Sequence, residues 1–287
     1  MTKHAYDRWA QLYNDTMGPD YGRQQLALLE QVLLADLPER AEILDLCCGT
    51  GQMIQPLLEA GYRVTGLDAS AEMLTCARQN APAATFVQED ARKYRENNRF
   101  DAAFSTSASL NHIPTLDDLK QVFGNVSDSL KEAGNFVFDL NHPEQLAKWW
   151  RGRPTEGDLT DRCVWMVTPS YDESRQQGAF RVTIFTPPAR SSAFKKLFTA
   201  LKRPLYRLLR LPRFIGLRLK LINNFQRWEP SWQRQEMDFP IAGHDLDAVR
   251  TALKATGFAQ VEIVTIDGKS TVDADYSAHF VCRKVAE

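Results

Sequence analysis

Two periodicities alternate along the first half of the chain, and their order predicts the fold. Apolar positions recur at helical spacing from Leu26 to Leu34, and Ile43-Leu44-Asp45-Leu46 then reads as a buried strand. Gln52 to Ala60 returns to helical spacing, and Arg63 to Asp68 forms a second strand. Ser70 to Asn80 is a helix with a capping serine and Glu72 in its first turn, ahead of a third strand from Thr85 to Glu89. After a fourth strand at Phe100 to Phe104, Leu116 to Ala133 predicts a long amphipathic helix stopped at Gly134, feeding the strand Asn135 to Leu140. This alternation of strand and helix is the pattern of a parallel sheet with helices on its faces.

The alternation breaks at Pro143 and resumes near Gly243, where Leu246 to Ala255 is helical, Gly257 closes it, and strands follow at Gln260 to Ile266 and Ser277 to Arg283. The economical division is a core of residues 1–142 and 244–287, with residues 143–243 inserted as a cap. Within the insertion Arg162 to Thr168, Ala179 to Thr186 and Trp232 to Phe239 alternate as strands, predicting a small antiparallel sheet. Between them Phe194 to Phe225 interleaves Lys195, Lys196, Lys202, Arg203, Arg207, Arg210, Arg213, Arg218 and Lys220 with leucine and aromatic residues. Pro204 and Pro212 divide that arm into short helical pieces.

Charge sharpens the contrast. The 287 residues carry a formal net charge of -1, yet from Ser174 to Trp228 there are thirteen Lys or Arg and no Asp or Glu. Three readings of the arm of residues 194–225 stay open: a solvated cationic face over an acceptor pocket, an element lying on anionic membrane lipid, or a site for RNA or an acidic ligand. Nucleic acid is the weakest, because no nucleic-acid motif accompanies the charge. Five cysteines without Cys-x-x-Cys spacing indicate neither a disulfide framework nor a zinc site, so no metal is expected and a reducing cytoplasm fits, with peripheral membrane association as its alternative. The start of the chain has no apolar core region, and no apolar segment is long enough to span a bilayer.

The first strand empties into Cys47-Cys48-Gly49-Thr50-Gly51, where two glycines allow a tight turn and close approach to a ligand, and a helix N-terminus follows. A dinucleotide fingerprint would want glycine where Ile54 stands, and a phosphate loop ending in Gly268-Lys269-Ser270 would want glycine where Ile263 stands. NAD and ATP are therefore disfavoured. Asp68 ends the second strand seventeen residues after Gly51, placed to accept both hydroxyls of a ribose, and Asp90-Ala91 follows the third strand, where an exocyclic amine can be met.

These residues resemble the class I S-adenosylmethionine-dependent methyltransferases. The matching stretches are Leu44-Asp45-Leu46-Cys47-Cys48-Gly49-Thr50-Gly51, Gly66-Leu67-Asp68-Ala69-Ser70 with Met73-Leu74, Gln88-Glu89-Asp90-Ala91 and Phe100-Asp101-Ala102-Ala103-Phe104. Upstream, Tyr6-Asp7-x-x-Ala10-x-x-Tyr13 is similar to the signature of the branch holding quinone C-methyltransferases and sugar N-methyltransferases. The resemblance implies a Rossmann-like, doubly wound, seven-stranded α/β sheet with an antiparallel last strand. It also implies S-adenosyl-L-methionine as cofactor: Gly49 and Gly51 beside the methionyl moiety with Cys47 and Cys48, Asp68 on the ribose, and Ala69 and Met73 flanking adenine. Asp90 and Ala91 would read the adenine amine, Tyr6 and Tyr13 would close over the methionine end, and Ser105 at the fourth strand's tip joins the cofactor set. Asp45 would organise the loop through backbone N–H groups. Relatives with such insertions use them as a lid or a dimer surface, so a homodimer stays open.

A sulfonium methyl is already activated, so alignment of an acceptor lone pair and exclusion of water are the main tasks. His112 and His142, at the ends of the fourth and fifth strands, are the candidate bases near neutral pH. Cys47 and Cys48 read as compact side chains beside the cofactor rather than as reactive thiols. The expected activity is methyl transfer to N or O of a small-molecule acceptor. The alternatives are a quinone or lipid methyltransferase at a membrane face and a cofactor-binding regulatory module without turnover.

Overall fold

The computed structural model describes residues 9–188, 204–267, 269 and 271–285. The chain divides into two compact units, with crossings between residues 146 and 147 and between 241 and 242.

The first unit is built on a seven-stranded sheet: β1 (Glu42–Leu46), β2 (Arg63–Asp68), β3 (Thr85–Gln88), β4 (Phe100–Ser105), β5 (Leu130–Leu140), β10 (Phe258–Val264) and β11 (Ala278–Lys284). Their order is β10-β11-β5-β4-β1-β2-β3. β1 pairs in parallel with β2 and β4, and β11 runs antiparallel to both β5 and β10, so one reversed strand sits in an otherwise parallel sheet, as the resemblance implies. Alternate residues feed two cores. Leu44, Ala103, Phe136, Phe138 and Phe280 face helix α5 (Leu116–Ser129), while Ile43, Phe104 and Val137 pack with Leu29, Leu33 and Ile54 from helices α2 (Gly18–Val32) and α3 (Ile54–Glu59). Covered on both faces, these central strands carry near-continuous apolar runs.

Helix α4 (Ala71–Asn80) begins where predicted, with the Ser70 hydroxyl accepting from the Met73 N–H at 3.2 Å. Helix α3 starts two residues later than its apolar spacing suggested, after a turn closed by the Ile54 N–H on the Gly51 carbonyl at 3.1 Å. The long helix ends at Ser129, not Ala133. Leu130 is fully buried opposite Phe100, and pairing with β4 resumes with Asn135 opposite Ala102, so β5 bulges over residues 131–134 through a left-handed Ala133 (φ 56°). Sheet pairing overrides the helical periodicity there.

The second unit holds a four-stranded antiparallel sheet in the order β6 (Glu156–Leu159), β7 (Val164–Asp172), β8 (Gln177–Thr186), β9 (Gln233–Ala242). Three of these follow the predicted strands. β6 was not anticipated, since Glu156-Gly157-Asp158-Leu159 lacks alternation and becomes a strand by pairing with Val164–Val167. Residues 204–209, helix α7 (Ile215–Asn223) and helix α8 (Phe225–Trp228) cover one face, where Leu209, Ile222 and Phe225 are buried with Leu159, Val164, Met166 and Phe185. Gly157 permits the approach: a Cβ there would stand 3.2 Å from Ile222 Cδ1 and 2.6 Å from the Trp165 carbonyl. The arm's Lys195, Lys196, Lys202 and Arg203 lie outside the described residues.

Candidate active site

The turn after β1 is held in a left-handed conformation at three residues, Cys47 (φ 62°), Gly49 (φ 53°) and Gly51 (φ 69°). The two glycines serve different ends. A Cβ on Gly51 would press on Ala77 of α4 at 3.1 Å, whereas one on Gly49 would meet nothing within 4 Å. Gly51 is thus a packing glycine, and Gly49 faces open space large enough to take a ligand atom against bare backbone.

Asp68 ties that turn to β2. Its Oδ2 accepts from the Gly49 N–H and its Oδ1 from the Ser70 N–H, both at 2.8 Å. A carboxylate has two acceptor oxygens, and here each of them is turned to the main chain of the turn or of the α4 entry. Asp90 is pre-occupied in another way: Arg92 donates to both of its oxygens, with Nη2 at 2.6 Å, and that guanidinium holds the Asp90 carboxyl below the usual range. Ala91 is buried, and its carbonyl accepts from Asn125 Nδ2 at 2.9 Å, which fixes the backbone beyond β3. Ala69 follows Asp68 half-buried, and Met73 is buried in the first turn of α4.

Carboxyls and thiols crowd together at the turn. Burial, and behind it the Asp68 charge, pushes Asp45 well above the usual carboxylate range. Burial and then the charges of Asp68, Asp45 and Asp90 push the Cys47 thiol up, and burial with Asp45 and Asp68 does the same to Cys48. Both sulfurs therefore stay protonated, poor nucleophiles in a compact wall. Ser105, 1% exposed at the end of β4, lies beside the Cys47 thiol.

A polar network without any pattern in the sequence binds helix α1 to this turn. Asn14, in helix α1 (Ala10–Asp15), accepts through Oδ1 from Gln52 Nε2 at 2.9 Å and from Asn80 Nδ2 at 2.6 Å, while Asn80 also donates to the Thr50 carbonyl at 2.7 Å. Tyr13, half-buried on α1, has ring-centre separations of 5.9 Å from Trp9 and 6.4 Å from Tyr21. Tyr6 lies outside the described residues.

The two histidines differ. His112 closes the short 3-10 turn Ser109–His112 after β4 and is half-buried. His142 is 4% exposed, and its Nε2 faces the carbonyls of Asp273 and Tyr276 at 3.1 and 3.3 Å. That nitrogen must carry the hydrogen, which leaves only Nδ1 to accept a proton. Two further residues organise this edge. Asp139 accepts from the Ala108 N–H at 2.9 Å across a turn in which Ser107 and Ala108 are both left-handed. Asn111, 1% exposed, donates to the carbonyls of Asn141 and Ala242 at 2.9 and 2.8 Å and accepts from the Asn141 N–H at 2.9 Å. Asn111 is thus a brace for this edge.

A glycine turn tethered to a strand-two carboxylate, on a sheet with one reversed strand, is the architecture of class I methyltransferases. Residues 43–134 match the family described as "Methyltransferase domain". Residues 43–134 thus carry a methyltransferase domain, and the fold around it is one shared with S-adenosylmethionine-dependent methyltransferases. It is 35% identical over 147 residues to YqeM of Bacillus subtilis (strain 168), provisionally named a methyltransferase, covering 50% of this chain and 58% of the relative. It is 30% identical over 134 residues to the dTDP-3-amino-3,4,6-trideoxy-alpha-D-glucopyranose N,N-dimethyltransferase of Streptomyces venezuelae, covering 46% and 56%. These alignments therefore span little more than half of the relatives' own length. A crystal structure of an S-adenosylmethionine-dependent methyltransferase from Clostridium acetobutylicum ATCC 824 shares the fold at TM-score 0.69 and 17% identity, covering 98% of this chain and all of that one.

Proposed function

We propose that this protein binds S-adenosylmethionine at the Cys47–Gly51 turn and transfers its methyl group to the amine nitrogen of a small molecule of the aminosugar kind. The observation that carries the donor half is the Asp68 carboxylate, which ends β2 against the open Gly49 backbone and is held there by the Gly49 and Ser70 N–H groups. The nitrogen acceptor rests on the likeness to the Streptomyces venezuelae N,N-dimethyltransferase.

Bound there, S-adenosylmethionine supplies a methyl group on a sulfonium sulfur that departs with the C–S electron pair as S-adenosylhomocysteine. Asp68 would orient the nucleoside, the Gly49 backbone would lie beside the methionyl moiety, and Cys47 and Cys48 with Ser105 would form the compact wall there. Tyr13 offers an aromatic face to a cation. An acceptor that arrives as an ammonium must lose a proton before its lone pair attacks, and His112, closing the turn after β4, is the side chain assigned to take it. His142, with Nε2 committed to two carbonyls, positions the edge instead.

Calorimetric titration with S-adenosylmethionine tests the donor half: saturable binding that is lost on Asp68→Ala supports it, and no binding to folded protein refutes it. Labelled methyl transfer into a panel of amino-, hydroxy- and phenolic acceptors tests the acceptor half. Label confined to hydroxyl acceptors refutes nitrogen as the nucleophile. His112→Ala is expected to lower kcat about 10²-fold, with the loss shrinking at alkaline pH where the amine is already neutral.

A further inference from the structure

The stretch 204–228 has two apolar sides, and only one is used by the second unit's own sheet. Leu209, Ile222 and Phe225 are buried against that sheet. Leu205, Leu208, Leu211, Ile215 and Leu217 instead face solvent, at 51%, 44%, 42%, 45% and 51% exposure. They stand two to four residues apart, so exposed leucine-class side chains recur through thirteen residues without an intervening acid. Clusters of that kind mark an interaction surface, whereas single exposed apolar residues do not.

The cations in the same stretch fall into two groups. Arg210 is held by Asp158 at 3.0 Å, and Arg218 donates to the Leu209 and Arg210 carbonyls, so both are ties within the unit. Arg207, Arg213 and Lys220 have no acidic partner among the described residues, and Arg213 lies 4.9 Å from the centre of the Phe214 ring. The exposed face is therefore leucines set among unpaired positive charges. A second copy of the chain fits it poorly, because a twofold contact would set the same cations against each other. A nucleic acid would be met by the charges but not by the leucines. An apolar strip flanked by Lys and Arg is suited to the boundary between acyl chains and phosphate headgroups. Among the described residues no helix is long and apolar enough to cross a membrane, so the contact is peripheral.

We propose that the 204–228 face docks on anionic lipid bilayers, its five exposed leucine-class side chains entering the acyl boundary while Arg207, Arg213 and Lys220 meet lipid phosphates. The docking is independent of the catalytic reading and is tested without it. The full chain is sedimented with vesicles of phosphatidylcholine alone and of phosphatidylcholine mixed with phosphatidylglycerol. Binding to the mixed vesicles alone, weakened by added salt, is the expected result. Arg207→Glu with Arg213→Glu should reduce it by at least the roughly fivefold per cation that such contacts are worth. Leu208→Ser with Leu217→Ser should reduce it about tenfold or more without restoring affinity for neutral vesicles. Circular dichroism of each variant confirms that it is folded. The proposal is overturned by failure to bind either vesicle, by binding that neither variant changes, or by concentration-dependent self-association that the leucine variant abolishes.

Discussion

Replacing Asp68 by alanine separates its two duties, and the magnitudes can be worked from its contacts. In the free protein the carboxylate accepts two main-chain N–H groups at 2.8 Å, from Gly49 and Ser70. Hydrogen bonds to a charged acceptor contribute about 1.5–3 kcal/mol each. In the proposed complex two ribose hydroxyls add two more bonds of that class. Asp68→Ala should therefore weaken donor affinity by about 3–6 kcal/mol, or roughly 10²- to 10⁴-fold at about 1.4 kcal/mol per decade. The free protein loses less, because water reaches the half-exposed turn and replaces part of the tether. Asp68→Asn should fall between the two, since its amide can accept on one side but presents N–H to an N–H on the other. Calorimetry with S-adenosylmethionine beside thermal unfolding of the ligand-free variants reads both effects. If Asp68→Ala lowered Tm while leaving donor affinity within threefold, Asp68 would be a loop tether and the diol argument would be wrong.

The two glycines should separate in the same pair of assays: each pays about 1–2 kcal/mol for a left-handed alanine, but Gly49→Ala should hurt donor binding more than stability, and Gly51→Ala, pressing on Ala77 at 3.1 Å, the reverse. Asp45 should make stability depend on pH, since burial and Asp68 raise its folded pKa above the unfolded one: its contribution is complete below about pH 4 and is lost as pH rises through the raised value. The Tm of Asp45→Asn minus that of the parent should therefore grow from pH 4 towards pH 8, and a constant difference would show that Asp45 does not titrate in this way. Cys47 and Cys48, kept protonated by burial and neighbouring carboxylates, should be alkylated by iodoacetamide at pH 8 at least about tenfold more slowly than a free cysteine, as read by peptide mass mapping.

The sequence was most readable where chemistry constrains residue type locally. The β1 run, the glycine turn, Asp68 and the Ser70 cap are each fixed by backbone geometry or by a neighbour within a few positions, and each lies where its pattern predicts. Readability failed where partners are distant in sequence. Leu130 has helical periodicity behind it but is taken by Phe100 across the sheet. Glu156–Leu159 carries no strand pattern and borrows its structure from β7. The Asn14–Gln52–Asn80 network joins residues separated by 38 and 66 positions through side-chain amides, which have no periodicity to reveal them. The two units also meet the chain four residues and two residues away from the expected 142/143 and 243/244 boundaries, since α6 (Pro143–Trp149) straddles the first crossing and β9 reaches the second.

Asn111 sets a rule for how this architecture can be rebuilt. Its amide uses both N–H groups and its carbonyl, and one of those N–H groups ends on the Ala242 carbonyl, the first residue after the chain returns from its inserted unit. A different insertion grafted between residues 146 and 242 would have to re-enter with a main-chain carbonyl at that point. Otherwise it would strand a buried amide hydrogen at a cost of about 1–3 kcal/mol. The interior of the graft is free to vary in length and composition, but its exit is tied to a single side chain in the turn after β4. The inserted unit can thus be exchanged as a cassette by sequences that preserve this one hydrogen bond.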